Sequence, residues 1–358
     1  MLAKVFIYRI IDICDELDIS QLRGRLKRLK IKPLGRRYFA PVYLNFATPP
    51  VEMKVRKWFL KKFNLWVDTM IKFYSLGLAT IRYEIFFEPP DHFACFKESR
   101  EIINNPIFDK KTETLLEYTK KLLEKELKIS IRIQFIEDYS ILWIQEKFAE
   151  VGPRQIWLQR SIAQFLRDES LPLSKSEERE ARRYQFSYTP DDLTVIDWDR
   201  AVTIDTLPQE DVWGVLEYAN LQLTELRYYE NTLDKQLDEF YELTRLPYRK
   251  ALVGLYQITS ATRKLSNLYL DFSEQEKRLN SFLRLTGDEY LSRIYGAAVK
   301  RLNIDSFQKN LKDRLADARR LYEMLSGQVN SLRLEFLEIM IILLIALSII
   351  FQIIPLFF

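Results

Sequence analysis

The chain reads as an α+β domain over residues 1–205, a long helical, coiled-coil hairpin region over 206–335, and one C-terminal transmembrane helix over 336–358. Three observations carry this reading. Short β-rich and amphipathic helical runs alternate as far as residue 205. From residue 206 apolar residues recur at alternating intervals of four and three, the spacing of a coiled-coil seam. Residues 339–358 carry no charge, and only Ser348, Gln352 and Pro355 interrupt Ile, Leu, Phe, Ala and Met. A helix of about 20 apolar residues crosses a ~30 Å hydrocarbon layer, so this run is expected to be a tail anchor.

Element by element, residues 4–10 form a β-rich run. Leu22, Leu26 and Leu29 fall at helical intervals and predict a short basic amphipathic helix over 18–30. Residues 54–76, with Val55, Trp58, Phe59 and Trp66 available to one face, predict a second helix. Residues 80–87 alternate as a strand that Pro89 and Pro90 terminate. A charged amphipathic helix is predicted over 112–127, then two strands, 130–136 and 139–145, joined by a turn at Glu137 and Asp138. The polar stretch 168–183 reads as a surface loop or short exposed helix. Residues 184–188 and 193–204 return to the β pattern around a turn at 189–192. Strands returning through short turns predict a mainly antiparallel sheet with helices packed on it.

Thr206 followed by Gln209 has the form of a capping box. The seam behind it runs Val212, Leu216, Ala219, Leu223, Leu226, Glu230, Leu233, Leu237 and Phe240, with Glu230 its single polar member. Pro247 ends that helix. Further helices are predicted over 249–270 and from Ser273 and Glu276 to Leu302, with a weak point at Gly287. Asp305 can cap the last helix, whose seam is Leu311, Leu315, Ala318, Tyr322, Leu325, Val329, Leu332, Phe336 and Ile339. Such a seam must be buried, either against the 206–302 helices or against a second copy, and both together is the favoured expectation. Leu311, Leu315, Tyr322, Leu325, Val329 and Leu332 are therefore the expected contacts of a homo-oligomer.

Charge is distributed unevenly. Residues 1–62 hold 15 Lys and Arg against 5 Asp and Glu, a net of +10, whereas the remainder holds 39 against 45, a net of −6. Arg23, Arg25, Lys27, Arg28, Lys30, Lys32, Arg36 and Arg37, then Lys54, Arg56 and Lys57, form a basic patch expected to attract phosphates of lipid headgroups or RNA. A solvated face paired with the acidic remainder is the plainer reading of the same residues. Tyr38, Phe39, Tyr43, Trp58, Phe63 and Trp66 interleave with it and could stack on bases, although helical spacing would place Trp58 and Trp66 in a core or interface. No secretory signal or presequence pattern is present, since Arg9, Asp12, Asp15 and Glu16 arrive early. The body is thus expected in the cytoplasm, beside a bacterial cytoplasmic membrane.

Chemistry-bearing motifs are few. His92 is the single histidine, and with Cys14 and Cys95 it leaves the chain short of the usual four nitrogen or sulfur ligands of zinc. The two cysteines are far apart and read as buried thiols of a reducing compartment. Neither phosphate-cradling glycine motif occurs. One acidic constellation stands out: Asp197, Asp199 and, six residues on, Asp205. On a strand the three would share a face and could hold Mg²⁺ or act as general acid and base. A strand rim bonding its own turn is the ordinary alternative.

The helical run from Asp211 to Asp234 and the Leu- and Glu-rich stretch from Leu332 to Leu347 together resemble the required-for-meiotic-nuclear-division proteins and their bacterial YagE-like relatives. The resemblance is confined at residue level to the C-terminal half. It implies an α/β domain, a coiled coil and a membrane helix in that order, and a scaffold without established catalytic residues. The expectation is a non-enzymatic, tail-anchored scaffold that oligomerises and presents its basic surface to lipid, a ribosome or RNA. It needs no cofactor and no small-molecule substrate. The rival is a membrane-attached metal enzyme built on Asp197, Asp199 and Asp205.

Overall fold

The β-rich N-terminal run becomes the middle of a sheet. In β1 (Leu2–Asp12) every residue from Ala3 onward is buried, which requires neighbours on both edges and cover on both faces. The computed structural model describes residues 1–14, 16–28, 49–133, 135–148, 155–244, 260, 263–264, 266–274 and 288–353. After β1 come α1 (Ile19–Arg28), β2 (Val51–Leu60), a 3-10 turn (Lys61–Phe63), β3 (Leu65–Phe73) and β4 (Leu78–Phe87). Next are α2 (His92–Ile103), α3 (Ile107–Leu127), β5 (Ile136–Gln145), α4 (Gln155–Leu166), α5 (Lys175–Ala181), β6 (Tyr184–Phe186), β7 (Leu193–Ile196) and β8 (Arg200–Ile204). The helices α6 (Glu210–Thr244), α7 (Glu289–Arg301) and α8 (Ile304–Ile353) follow.

The strands make one eight-stranded sheet in the order β2-β3-β4-β1-β5-β8-β7-β6. The β5–β8 pair is parallel, and the other pairings are antiparallel. The sheet is therefore mixed. Alternation sorts its side chains: Val5, Ile7 and Ile11 of β1, Ile81, Tyr83 and Ile85 of β4, and Leu142 and Ile144 of β5 join one apolar core. Cys95 and Phe96 of α2, Phe108, Leu116 and Leu123 of α3, and Leu158, Ile162 and Phe165 of α4 belong to the same core. Each such buried side chain stabilises the fold by about 1.5–3 kcal/mol relative to exposure.

By its contacts the chain divides into two units, Met1–Tyr228 with Lys277–Phe307, and Tyr229–Glu276 with Gln308–Phe358. In the second unit Tyr229, Leu233, Leu268, Phe272, Leu311, Leu315 and Ala318 are buried. Tyr229 meets Phe272 edge-on at 5.6 Å. Glu230, the polar member of the seam, faces Arg314 Nη1 at 3.6 Å, and Arg314 also bonds Asp234.

Several expectations are corrected. Among the described residues no helix is long and apolar enough to cross a membrane. The transmembrane helix of 336–358, the tail-anchored topology and the bacterial membrane localisation fall with that finding. Residues 354–358 lie outside the described residues.

The helix expected over 54–76 is the β2–β3 hairpin. At a bulge between Val55 and Trp58, Arg56 and Lys57 together oppose the single residue Asp68, so Val55 and Trp58 meet the same core three residues apart, a spacing that imitates a helix. Asn64 closes the hairpin in the left-handed region, φ 58°, which asparagine tolerates. The two strands expected over 130–145 are one, because Glu137 and Asp138 are held on β5 by Arg227 and Arg9. Residues 193–204 are a hairpin rather than a single run. Helix α7 starts at Glu289, where Asp288 accepts from the backbone of Tyr290 and Leu291. The expected ends at Pro247 and Gly287 lie outside the described residues.

Candidate functional site

The sheet face opposite the α2–α4 core carries polar and aromatic residues in register. Lys4 pairs with Phe86 on β4 and with Trp143 on β5. The Val67–Ile85 pair sets Trp66 beside Phe86 one step on, and Trp66 pairs with Phe59 on β2. Phe59, Trp66, Phe86 and Lys4 thus form a line across four adjacent strands spaced about 4.8 Å apart. The line continues to Trp143, where α6 lies over the sheet. Trp213 of α6 packs 4.3 Å from Phe6 and 5.8 Å from Trp143, and its Nε1 donates to Thr203 Oγ1 at 3.2 Å.

Outside that cover the rings meet solvent. Phe59 is 39% exposed, Trp66 60% and Phe86 45%. Phe59 and Trp66 lie 5.2 Å apart with tilted planes. Lys4 Nζ sits 4.3 Å from the centre of the Phe86 ring and 4.5 Å from that of Phe6, within the range of a cation–π contact.

Behind the ring line is a row of ion pairs. Asp68 is approached by Lys57 Nζ at 2.7 Å and Lys54 Nζ at 3.7 Å. Glu84 takes Lys4 Nζ at 2.6 Å and Arg82 Nη2 at 2.5 Å. Burial would raise the Glu84 carboxyl, but Arg82 and Lys4 outweigh it and hold it below the usual range. Four cations therefore surround two carboxylates, and Glu217 and Glu210 of α6 also act on Arg82. Deeper, under α6, Lys72 Nζ and Tyr74 Oη bond Glu217 at 2.6 and 2.8 Å. Tyr8 Oη and Arg82 Nε are buried there without hydrogen-bond partners.

Of the expected basic patch, Lys54, Arg56 and Lys57 are together and exposed on β2, and Lys61 and Lys62 follow in the 3-10 turn. A bulged, lysine-bearing strand resists strand addition at a sheet edge, and it also offers cations to a ligand. Arg23 and Arg25 come from α1; Arg23 is exposed and reaches the Pro49 carbonyl at 3.3 Å. Lys27 and Arg28 are in α1, but their side chains, like Lys30, Lys32, Arg36, Arg37, Tyr38, Phe39 and Tyr43, lie outside the described residues. Trp58 and Trp66, grouped in the sequence, separate. Trp58 packs on Tyr83 and Phe108 and donates to Thr69, whereas Trp66 faces solvent. Sequence reasoning grouped Phe59 with Trp66 on an expected helix face and missed Phe86 and Lys4 as neighbours of Trp66. The consecutive pair Phe86–Phe87 at the end of an alternating strand was the available signal, since only one of them can face the core.

The acidic constellation is not a site. Asp197 is fully buried in the β7–β8 turn, with Arg301 Nε at 2.6 Å and Arg167 Nη1 at 3.2 Å. Asp199 is largely exposed, and Asp205 accepts from Leu207 N at 3.0 Å and Gln209 Nε2 at 2.6 Å. Asp205 rather than Thr206 organises the approach to α6. The three carboxylates serve different elements, and no group of three or more His, Cys, Asp or Glu among the described residues is arranged to hold a metal. His92 bonds Glu146 at 2.6 Å, and burial pushes the Cys95 thiol up to about 12, far from a nucleophilic thiolate at neutral pH. Of the expected oligomer contacts, Leu311 and Leu315 are buried, while the side chains of Tyr322, Leu325, Val329 and Leu332 lie outside the described residues.

A cavity of about 560 Å³ lies among residues 188–192, 205–212 and 288–291. Asp191, Asp192, Asp205, Glu210, Asp211 and Asp288 line it. Asp192 is taken up by the backbone of Tyr188 and Thr189, and Asp288 by α7. A cavity of this charge repels anions, the opposite preference to the ring face.

No curated protein and no solved structure matches the chain. A family described as "Uncharacterized protein MJ0711, N-terminal domain" matches residues 3–209. That span covers β1 through β8, ring line and basic edge strand included. The chain belongs to the family of the MJ0711 N-terminal domain.

Proposed function

We propose that the protein is a non-enzymatic scaffold that binds RNA through the basic edge of its sheet and self-associates through its helical region. The observation that carries the reading is the run of exposed cations Lys54, Arg56, Lys57, Lys61 and Lys62 on β2 and the turn after it. Arg56 and Lys61 form no ion pair among the described residues, so phosphates can reach them without displacing a carboxylate. The cations stand on a strand and turn that the core holds through Val55, Trp58 and Phe63. Binding of this kind is sequence-independent and falls steeply with salt.

The test is fluorescence anisotropy of the full chain with a labelled RNA across a salt series. Neutralising Lys54, Arg56 and Lys57 to Gln should weaken binding and reduce the logarithmic salt slope by about 2, at roughly 0.7 per single-strand phosphate contact. An unchanged slope ends the RNA half of the reading. For the other half, light scattering should give a mass above one chain, and Glu at Val329 and Leu332 should lower it. A monomer at tens of micromolar ends the oligomer half.

A further inference from the structure

The geometry points to a base-stacking platform: we propose that Phe59, Trp66 and Phe86 seat unpaired bases, so that the nucleic acid bound at this face is single-stranded. This rests on the RNA reading above and specifies its ligand.

Three aromatic side chains on three adjacent strands are each at least a third exposed. Rings that only filled space would be covered, as Trp143 is on the same face by Trp213 of α6. Strand spacing sets neighbouring ring positions about 4.8 Å apart, a step that an unstacked single strand can follow with one base per ring. Base pairs of a duplex stay stacked on one another and do not offer their faces to a side chain. Every base has an aromatic face, so this contact is tolerant of sequence.

The cations around the rings select the same ligand. Lys54, Arg56 and Lys57 are exposed on β2, the strand that carries Phe59, whereas Lys4 is buried and held by Glu84 beside the Phe86 ring. A strand laid across β2, β3 and β4 places its bases on the rings and its phosphates beside the exposed cations of β2. The two carboxylates nearby, Asp68 and Glu84, are each engaged by two cations, so neither presents a bare negative charge to the backbone. A protein docking face built from the same rings would not need a row of exposed cations at its edge.

The experiment compares a labelled twelve-nucleotide poly-uridine RNA with a blunt RNA duplex of the same length, using the full chain, the Trp66→Ala and Phe86→Ala variants, and Trp66→Phe. The platform predicts at least tenfold preference for the single strand. It also predicts a loss of roughly five- to a hundred-fold in Trp66→Ala, and substantial recovery in Trp66→Phe, which keeps a ring. Both rings are exposed, so the variants should keep the parent's thermal midpoint, measured alongside. Equal binding of duplex and single strand, unaffected by Trp66→Ala but weakened by the Lys and Arg neutralisations, overturns the platform and leaves the basic-edge reading standing. No binding of either RNA overturns both, and the exposed rings then belong to a protein contact.

Discussion

Arg301, the last residue of α7, donates from Nε to Asp197 Oδ1 at 2.6 Å, 104 positions away in the chain. The same guanidinium reaches Glu180 of α5 at 3.0 Å and lies 5.3 Å from the Trp198 ring. Asp197 also faces Arg167 at the end of α4. One buried carboxylate thus ties α4, α5, the β7–β8 turn and α7 together. Replacing Arg301 by Ala should cost about 3–5 kcal/mol, because it leaves a buried charge half-paired. Urea unfolding should show this as a lower midpoint, with Arg301→Lys intermediate because it keeps the charge and loses the fork. A loss below 1 kcal/mol would show that Arg167 alone compensates Asp197.

Acid should unfold the protein through its paired carboxylates. Burial alone would raise Glu217, but Lys72 and Arg82 hold it below its usual range, and Glu84 and Asp168 are lowered in the same sense by Arg82 and by Arg200. A depressed folded pKa means that the unfolded chain takes up protons first. The stabilisation is present above the unfolded values of roughly 4 and is lost as pH falls through the folded ones. Denaturation midpoints measured against pH should be level near neutrality and fall below about pH 4 to 5. Glu217→Gln should lower the plateau and flatten the acid arm. An acid arm of unchanged steepness in that variant would remove Glu217 from the account.

Both thiols should be silent in the native protein. Cys14 and Cys95 are buried thiols in no disulfide, and Cys95 is pushed up to about 12 by burial. A chromogenic thiol reagent at pH 7.5 should react slowly with the folded chain and promptly with both thiols in denaturant. Fast native reaction would place at least one of them at the surface.

In the second unit, packing should matter more than its surface ion pairs. Leu315 is buried, so Leu315→Ala should cost about 2–5 kcal/mol. Arg314, partly exposed and paired with Asp234 and Glu230, should contribute no more than about 1 kcal/mol when replaced by Ala. Hydrogen exchange along 229–244 and 308–320 would separate the two cases. Equal protection losses in both variants would mean that Glu230 and Arg314 set the register of this unit.

The hairpin β2–β3 shows why part of the candidate site was hidden. Val55 and Trp58 are three apart and both touch the core, which in one dimension spells helix. A bulge of one extra residue produces the same spacing in a strand, and nothing local distinguishes the two. Once that segment was read as helical, Phe59 and Trp66 belonged to the same helix and could not be seen as cross-strand partners. Phe86 and Lys4 enter the line only through strand pairing. Lys54, Arg56 and Lys57 were legible as a basic run because proximity in sequence was enough to group them.

The Asp197, Asp199 and Asp205 constellation failed for the converse reason. Sequence proximity suggested a shared face, but the turn between β7 and β8 sends Asp197 inward to Arg167 and Arg301 and leaves Asp199 outside. The arginines that occupy Asp197 come from residues 30 and 104 positions away.

By itself the sequence determined what depends on local pattern: the β-rich start, the alternating strand at 80–87, the helices at 112–127 and from 210, the buried seam at Leu311 and Leu315, and a basic N-terminal segment. These follow from the periods of strand and helix, which side chains within a few residues of each other already express. Tertiary structure alone decided the order of strands in the sheet, the parallel β5–β8 pair, the partners of Asp197, and the exposed line Phe59–Trp66–Phe86. Each of these is a pairing of distant segments. Its stability comes from burial and hydrogen bonds that exist only after the chain has closed on itself.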